Sequence, residues 1–263
     1  MRGIESPDAL VAGAVAISIP HCPGADVVKT NAAIDALVDR VRSRVRGEQP
    51  QALLAHLHQV LFDEEGFIGN TADYYNPANS FLPAVLETRK GLPITLCLLY
   101  KVIAERLGLN VWGVGMPGHF LVAVEMGHDY GEGGPILIDP FEHGRVLSIG
   151  EARDRMRDLL GPDATWNADI ILPASNRHWL TRILQNLLHV YGNEDRYSEV
   201  AGVLEMEMLL WPDQGHLQRD LALVLARIGL AQPACAWLGR YLRNNPQDPH
   251  RNDLKQLLDV LKA

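Results

Sequence analysis

Residues 93–126, PITLCLLYKVIAERLGLNVWGVGMPGHFLVAVEM, decide the fold, because the period of the apolar residues changes midway. From Pro93 onward Leu96, Leu99, Tyr100, Ile103, Ala104 and Leu107 recur at three and four, the stripe of an amphipathic helix. Pro93 suits a first helical turn, where a missing N–H costs nothing, and Gly108 stops the run. Beyond it, Val111 to Met116 and His119 to Met126 are short, rich in Val and Leu, and divided by Pro117-Gly118. A third such run, Pro135 to Asp139, follows the glycines of GEGGP at 131–135. Strands after a helix, joined by turns, predict an antiparallel sheet and an α+β fold.

Upstream, Asn31 to Val45 carries Ile34, Leu37, Val38, Val41 and Val45 on one face, and Gln51 to Phe62 carries Leu53, Leu54, Leu57, Val60 and Leu61. Both spacings predict helices. The segment 66–80, GFIGNTADYYNPANS, is dense in Gly, Asn, Asp and Pro and predicts an ordered loop, after which Phe81 to Thr88 returns to helix. The apolar run Leu10 to Ile19 follows Glu5 and Asp8 instead of a basic segment and is too short to cross a bilayer. We therefore treat residues 1–24 as an N-terminal extension.

Downstream of Gly150 the pattern reads as helical to the end. Setting Pro212 against Pro246 gives a 34-residue period that matches Leu187 with Leu221, Tyr191 with Leu225, Val200 with Ala234 and Leu204 with Leu238. That period is the tetratricopeptide signature, in which each helical pair buries its apolar face on the next. Two divergent repeats and a capping helix from Asp253 to Leu261 are expected, the alternative being a plain helical bundle. Trp179, Trp211 and Trp237 read as core, and stacked pairs of this kind offer a concave surface for a peptide.

The chain has 263 residues, 47% of them hydrophobic, enough to build a substantial core in two domains. Lys and Arg number 24 against 32 Asp and Glu, a formal charge of -8, so no basic excess exists to track phosphates and no nucleic-acid partner is expected. Cys22, Cys97 and Cys235 are too few and too far apart for a disulfide framework or a metal knuckle. The chain is expected to be cytoplasmic, with no membrane partner, no metal and no cofactor. His119, Asp139 and His143 do not have a recognised metal-ligand spacing.

The chemistry that stands out is His119 and Asp139, each at the edge of an expected strand. A carboxylate can orient an imidazole and favour its charged form, the base and orienter of a nucleophilic triad, or the two can simply tie the sheet together. The place for a nucleophile is the start of the helix at Pro93, where the helix dipole would lower a thiol pKa. Two side chains near that start are candidates. Cys97 lies one turn deeper on nearly the same face, and Thr95 carries a hydroxyl in the first turn; the structural alternatives are a small buried apolar residue and a backbone cap.

The phrases FxGNxxxYYxPxNSxL at 67–82, VLETRKGLPITL at 85–96, PGHFLV at 117–122 and LIDPF at 137–141 together resemble the transglutaminase-like and tetratricopeptide proteins of the SirB-one type. The resemblance implies a transglutaminase-like, papain-like core over 25–165 with a helical N-terminal part, followed by an all-α tetratricopeptide-like domain over 166–263. It places His119 and Asp139 at the second and third triad positions and Pro93 where catalytic members carry cysteine. It also marks Asn70, Tyr75, Asn79, Ser80 and Arg89 as motif residues that line a cleft mouth and select a ligand or satisfy the loop itself, with Arg89 reaching Asp73. The expected function is a degenerate enzyme that binds a protein or peptide through cleft and repeats in a regulatory or scaffolding role. The alternative is a cysteine-type hydrolase or acyltransferase using Cys97, His119 and Asp139.

Overall fold

A computed structural model describes residues 4–47, 49–126 and 135–262; the turn expected at GEGGP lies mostly outside them. Contacts divide the chain into two compact units, Met1–Ile183 and Leu184–Ala263.

The first unit is organised around helix α5 (Pro93–Arg106), reached through α1 (Pro7–Ser18), α2 (Val27–Arg42), α3 (Pro50–His58) and α4 (Leu82–Thr88). Every residue of α5 from Pro93 to Ala104 is buried. The sequence predicts one apolar stripe, but Ile94, Leu98 and Val102 are as apolar as that stripe, and a helix apolar all round belongs in a core. Even Lys101 is buried, its ammonium held by Glu105 at 2.6 Å. The N-terminal run supplies α1, whose Leu10, Val11, Ala14 and Val15 are buried. In α2, Asp26 caps the helix by accepting from the Lys29 N–H, and the expected face Ile34, Leu37, Val38 and Val41 is buried; the helix stops at Arg42, short of Val45.

The run after α3 widens into a π-turn over Gln59–Glu64, with the Glu65 N–H on the Val60 carbonyl. It leaves His58 Nε2 2.8 Å from the Tyr100 hydroxyl, with the Phe62 ring stacked 6.3 Å from that of Tyr100. Loop 66–80 holds more order than the sequence indicates. Its strand β1 (Ile68–Gly69) pairs in parallel with β2 (Lys90–Gly91), and Pro77–Ser80 forms a 3-10 turn capped by Asn76.

After α5 come β3 (Val111–Val114), β4 (Leu121–Val124), β5 (Ile136–Asp139) and β6 (Arg145–Leu147), an antiparallel sheet in that order. The sequence reading missed β6, whose first two residues, Arg145 and Val146, are exposed. The β5–β6 turn needs left-handed backbone at His143 and Gly144, and a side chain at Gly144 would meet Phe62 at 2.3 Å. One side of the sheet packs on α5. The other meets α6 (Ile149–Leu160), where Ala152 and Met156 join Leu121, Ala123 and Leu137, and Ser148 with Glu151 forms a capping box.

The expectation of unbroken helix beyond Gly150 is corrected between 161 and 175. There Pro162 and Pro173 break the run, and the only described helical piece is a short turn at Ala168–Ile171. This segment lines the edge strand β3: Trp112 Nε1 donates to the Ile171 carbonyl at 2.9 Å and the Ala174 N–H to the Gly113 carbonyl at 3.0 Å. The buried Trp179, from α7 (Asn176–Asn193), lies against Phe120 with ring centroids 4.3 Å apart. The first unit thus runs beyond residue 165.

The second unit takes the end of α7, then α8 (Tyr197–Leu210), α9 (Gly215–Arg227), α10 (Ala231–Asn244) and α11 (Arg251–Lys262). Helices α8 and α10 begin and end 34 residues apart. All four residue pairs matched at that offset are buried. Trp237 packs only partly buried against the core of α9, α10 and α11, and Trp211 is half-buried, so of the three tryptophans Trp179 alone is fully enclosed. No helix among the described residues is long and apolar enough to cross a membrane.

Two outcomes test this packing. A Cβ at Gly113 would lie 2.2 Å from the Trp179 ring, so Gly113→Ala should destabilise the protein by about 1–3 kcal/mol, read from its urea unfolding midpoint. Burial holds His58 down from its ordinary 6.5 to about 4. Between those values the unfolded chain binds the extra proton, so stability falls as pH drops through that window. The loss should be on the order of 2 kcal/mol, less than full conversion because the ring is partly exposed. Unfolding free energies at pH 7 and pH 4 should differ by that much less in His58→Gln.

Candidate functional site

Strand pairing brings the imidazole and the carboxylate together. Val122 faces Ile138 across β4 and β5, and from that register His119, just before β4, meets Asp139 at the end of β5. His119 Nε2 lies 2.7 Å from Asp139 Oδ2, both residues buried. Asp139 Oδ1 accepts from the Phe141 N–H at 3.0 Å, which anchors the carboxylate at the start of the turn over Pro140–Glu142. His119 Nδ1 has no hydrogen-bond partner among the described residues.

The sequence reading did not find the next layer. Arg155, on α6, reaches Asp139 Oδ2 at 3.5 Å and donates to Glu142 Oε1 at 2.7 Å. Its position one residue before the buried Met156 puts it at the edge of the packed face of α6. Three aromatic rings lead outward from His119. Phe141, Tyr74 and Tyr75 follow one another edge to face with centroids 6.3, 6.1 and 5.4 Å apart, Tyr75 being exposed. Gly69 belongs to the same construction, since a Cβ there would come within 2.5 Å of the Phe141 ring.

Neither nucleophile candidate is presented to that imidazole by an open path. Cys97 is fully buried, and its thiol donates to the Phe120 carbonyl at 3.3 Å. Burial, with the Asp139 charge adding to it, pushes this thiol well above the usual range, so the thiolate is strongly disfavoured. Thr95 is also fully buried, and its hydroxyl makes neither the expected backbone cap nor any other hydrogen bond among the described residues. The Ser80 hydroxyl is in the same state.

The remaining loop residues are held by one another. Asn70 donates to Asn79 Oδ1 at 2.9 Å and accepts from the Asp73 N–H at 3.2 Å; Asn79 in turn donates to the Asp73 carbonyl at 2.7 Å. The Asn79 carbonyl accepts from Leu92 N–H at 3.1 Å, tying the loop to the residue that precedes α5. Arg89 does not reach Asp73 as anticipated. Its left-handed backbone closes α4 and turns the side chain over the Phe67 ring to pair with Glu65 at 2.7 Å.

A helix opening at Pro93, a histidine just before one strand and a following strand that ends in aspartate make a transglutaminase-like arrangement. The family model of the transglutaminase-like superfamily matches residues 29–185, and the chain belongs to that superfamily. It is similar to a UPF0162 protein of Xylella fastidiosa, 36% identical over 241 residues that cover 90% of this chain and 84% of that one. A UPF0162 protein of Vibrio cholerae is 24% identical over 77% of this chain and 73% of its own. Human F-box only protein 21 is 32% identical over 181 residues, 65% of this chain and 27% of that longer one. No solved structure matches.

Removing the Asp139 carboxylate leaves the His119 ring and the Phe141 N–H without their acceptor in a closed interior. Asp139→Ala should therefore cost about 3–5 kcal/mol of unfolding free energy, and Asp139→Asn, which keeps an acceptor, distinctly less.

Proposed function

We propose that this protein is a cytoplasmic, non-catalytic transglutaminase-like protein of the SirB-one type that binds a protein or peptide in a regulatory or scaffolding role. In this reading Pro93 stands where catalytic members of the superfamily open the helix with cysteine, while His119 and Asp139 persist as the frame of the cleft. The α-helical second unit, read as divergent tetratricopeptide-like repeats, supplies a further binding surface. One observation carries the reading: the cysteine nearest the imidazole, Cys97, spends its proton on the Phe120 carbonyl inside a closed core. A thiol so placed has neither the solvent access nor the depressed pKa that nucleophilic catalysis requires. The aromatic row from Tyr75 to Phe141 supports an apolar contact surface leading to the imidazole. The match to about a quarter of human F-box only protein 21 is consistent with a module carried for recognition inside a larger chain.

The test is alkylation of the native full chain with iodoacetamide, read residue by residue by peptide mass mapping. Cys22 and Cys235, both partly exposed, should be carbamidomethylated while Cys97 stays protected until urea opens the fold. Native Cys97 reacting at pH 6 faster than Cys235, and slowing in His119→Ala, would make the protein a cysteine-type hydrolase or acyltransferase and end this reading.

A further inference from the structure

The second unit contains a groove between α10 and α11 of about 460 Å³. Leu242 and Leu258 give it an apolar floor, and Gly239 keeps the α10 wall low. Four cations stand around it: Arg243 on α10, and Arg251, Lys255 and Lys262 on one face of α11, four and seven residues apart. Among the described residues, no acidic side chain lines it. None of the four cations has an ion pair among the described residues, whereas Arg40, Arg44, Arg89, Arg106, Arg155 and Arg196 are all paired.

What distinguishes these four is that they share one depression. With a formal charge of -8, carboxylates are plentiful, and α11 itself carries Asp253 and Asp259 outside the groove. Gathering four like charges around one depression costs mutual repulsion, which a bound anion would remove. Arg251 is moreover held in place, its guanidinium donating to the Leu242 carbonyl at 2.6 Å, so part of the positive field is preorganised.

We propose that this groove docks an acidic peptide segment of a partner protein, with its carboxylates on Arg243, Arg251, Lys255 and Lys262 and an apolar side chain over Leu242 and Leu258. The proposal deepens the peptide-binding reading of the helical unit and rests on it. An acidic peptide fits better than a nucleic acid or an anionic membrane, because the cations enclose a short apolar depression and the chain as a whole repels an extended polyanion.

The experiment is fluorescence polarisation of the full chain with a short fluorescein-labelled peptide of alternating Glu and Leu, beside its Gln-for-Glu counterpart. The acidic peptide should bind and the neutral one should not, and binding should weaken as salt rises. Reversing two cations in Arg243→Glu/Lys255→Glu should weaken it at least ~10-fold, about 1.4 kcal/mol. Lys29→Glu/Arg153→Glu, which changes net charge equally on exposed positions of the first unit, should not. Equal binding by the groove variant, no binding at roughly 1 mM, or tighter binding of a single-stranded oligonucleotide or of phosphatidylserine vesicles would each overturn the proposal. Protection of native Cys97 is read separately, so a groove that fails leaves the non-catalytic reading standing, and a reactive Cys97 leaves the groove result standing.

Discussion

The first unit depends on one constraint: α5 is apolar on every side and must be enclosed completely. A helix with a single apolar stripe could have rested on the sheet with its other face in water. This one requires helices as well as strands around it, and α2, α4, loop 66–80 and the sheet together supply that cover. Enclosing it also fixes what its side chains can do. Cys97 and Thr95 are sealed because the helix they sit on is sealed, and the carbonyl that Cys97 bonds belongs to the residue next to His119.

The imidazole and carboxylate sit at the margin of that enclosure. Asp139 is fully buried and makes its contacts with His119, the Phe141 N–H and Arg155, so its orientation is dictated by the turn that follows β5 as much as by the histidine. Glu142 and Arg155 extend the network toward solvent, and the row of Phe141, Tyr74 and Tyr75 does the same on an apolar path. The acid–base pair lies next to a thiol, Cys97, that is fully buried. Such geometry is as well suited to holding the β4 and β5 ends rigid as to moving a proton.

Local pattern made much of the architecture legible. The three-and-four spacing of α2 and α3, the change of period after Gly108 and the 34-residue offset in the second unit all correspond to elements whose matched residues are buried. His119 and Asp139 stood out because strand-edge positions next to Pro-containing turns are few. Less accessible were the features set by distant partners. Strand β6 has only Leu147 buried and no alternation to betray it. The link from Arg155 to Asp139 joins a helix to a strand, and the choice of Glu65 over Asp73 by Arg89 follows from a left-handed backbone that sequence alone does not specify.

By itself the sequence determined most of the helices and the strands β3 to β5, that those strands follow a central helix, and which histidine and carboxylate were available to meet. These follow from the spacing of apolar residues and from Pro and Gly punctuation, which act within a few residues of one another. Tertiary structure alone decided that α5 is enclosed all round, that the Cys97 thiol turns to a carbonyl, and that four cations of the last two helices share one groove. Burial and charge juxtaposition depend on residues far apart in the chain, and a one-dimensional pattern carries no distance between them.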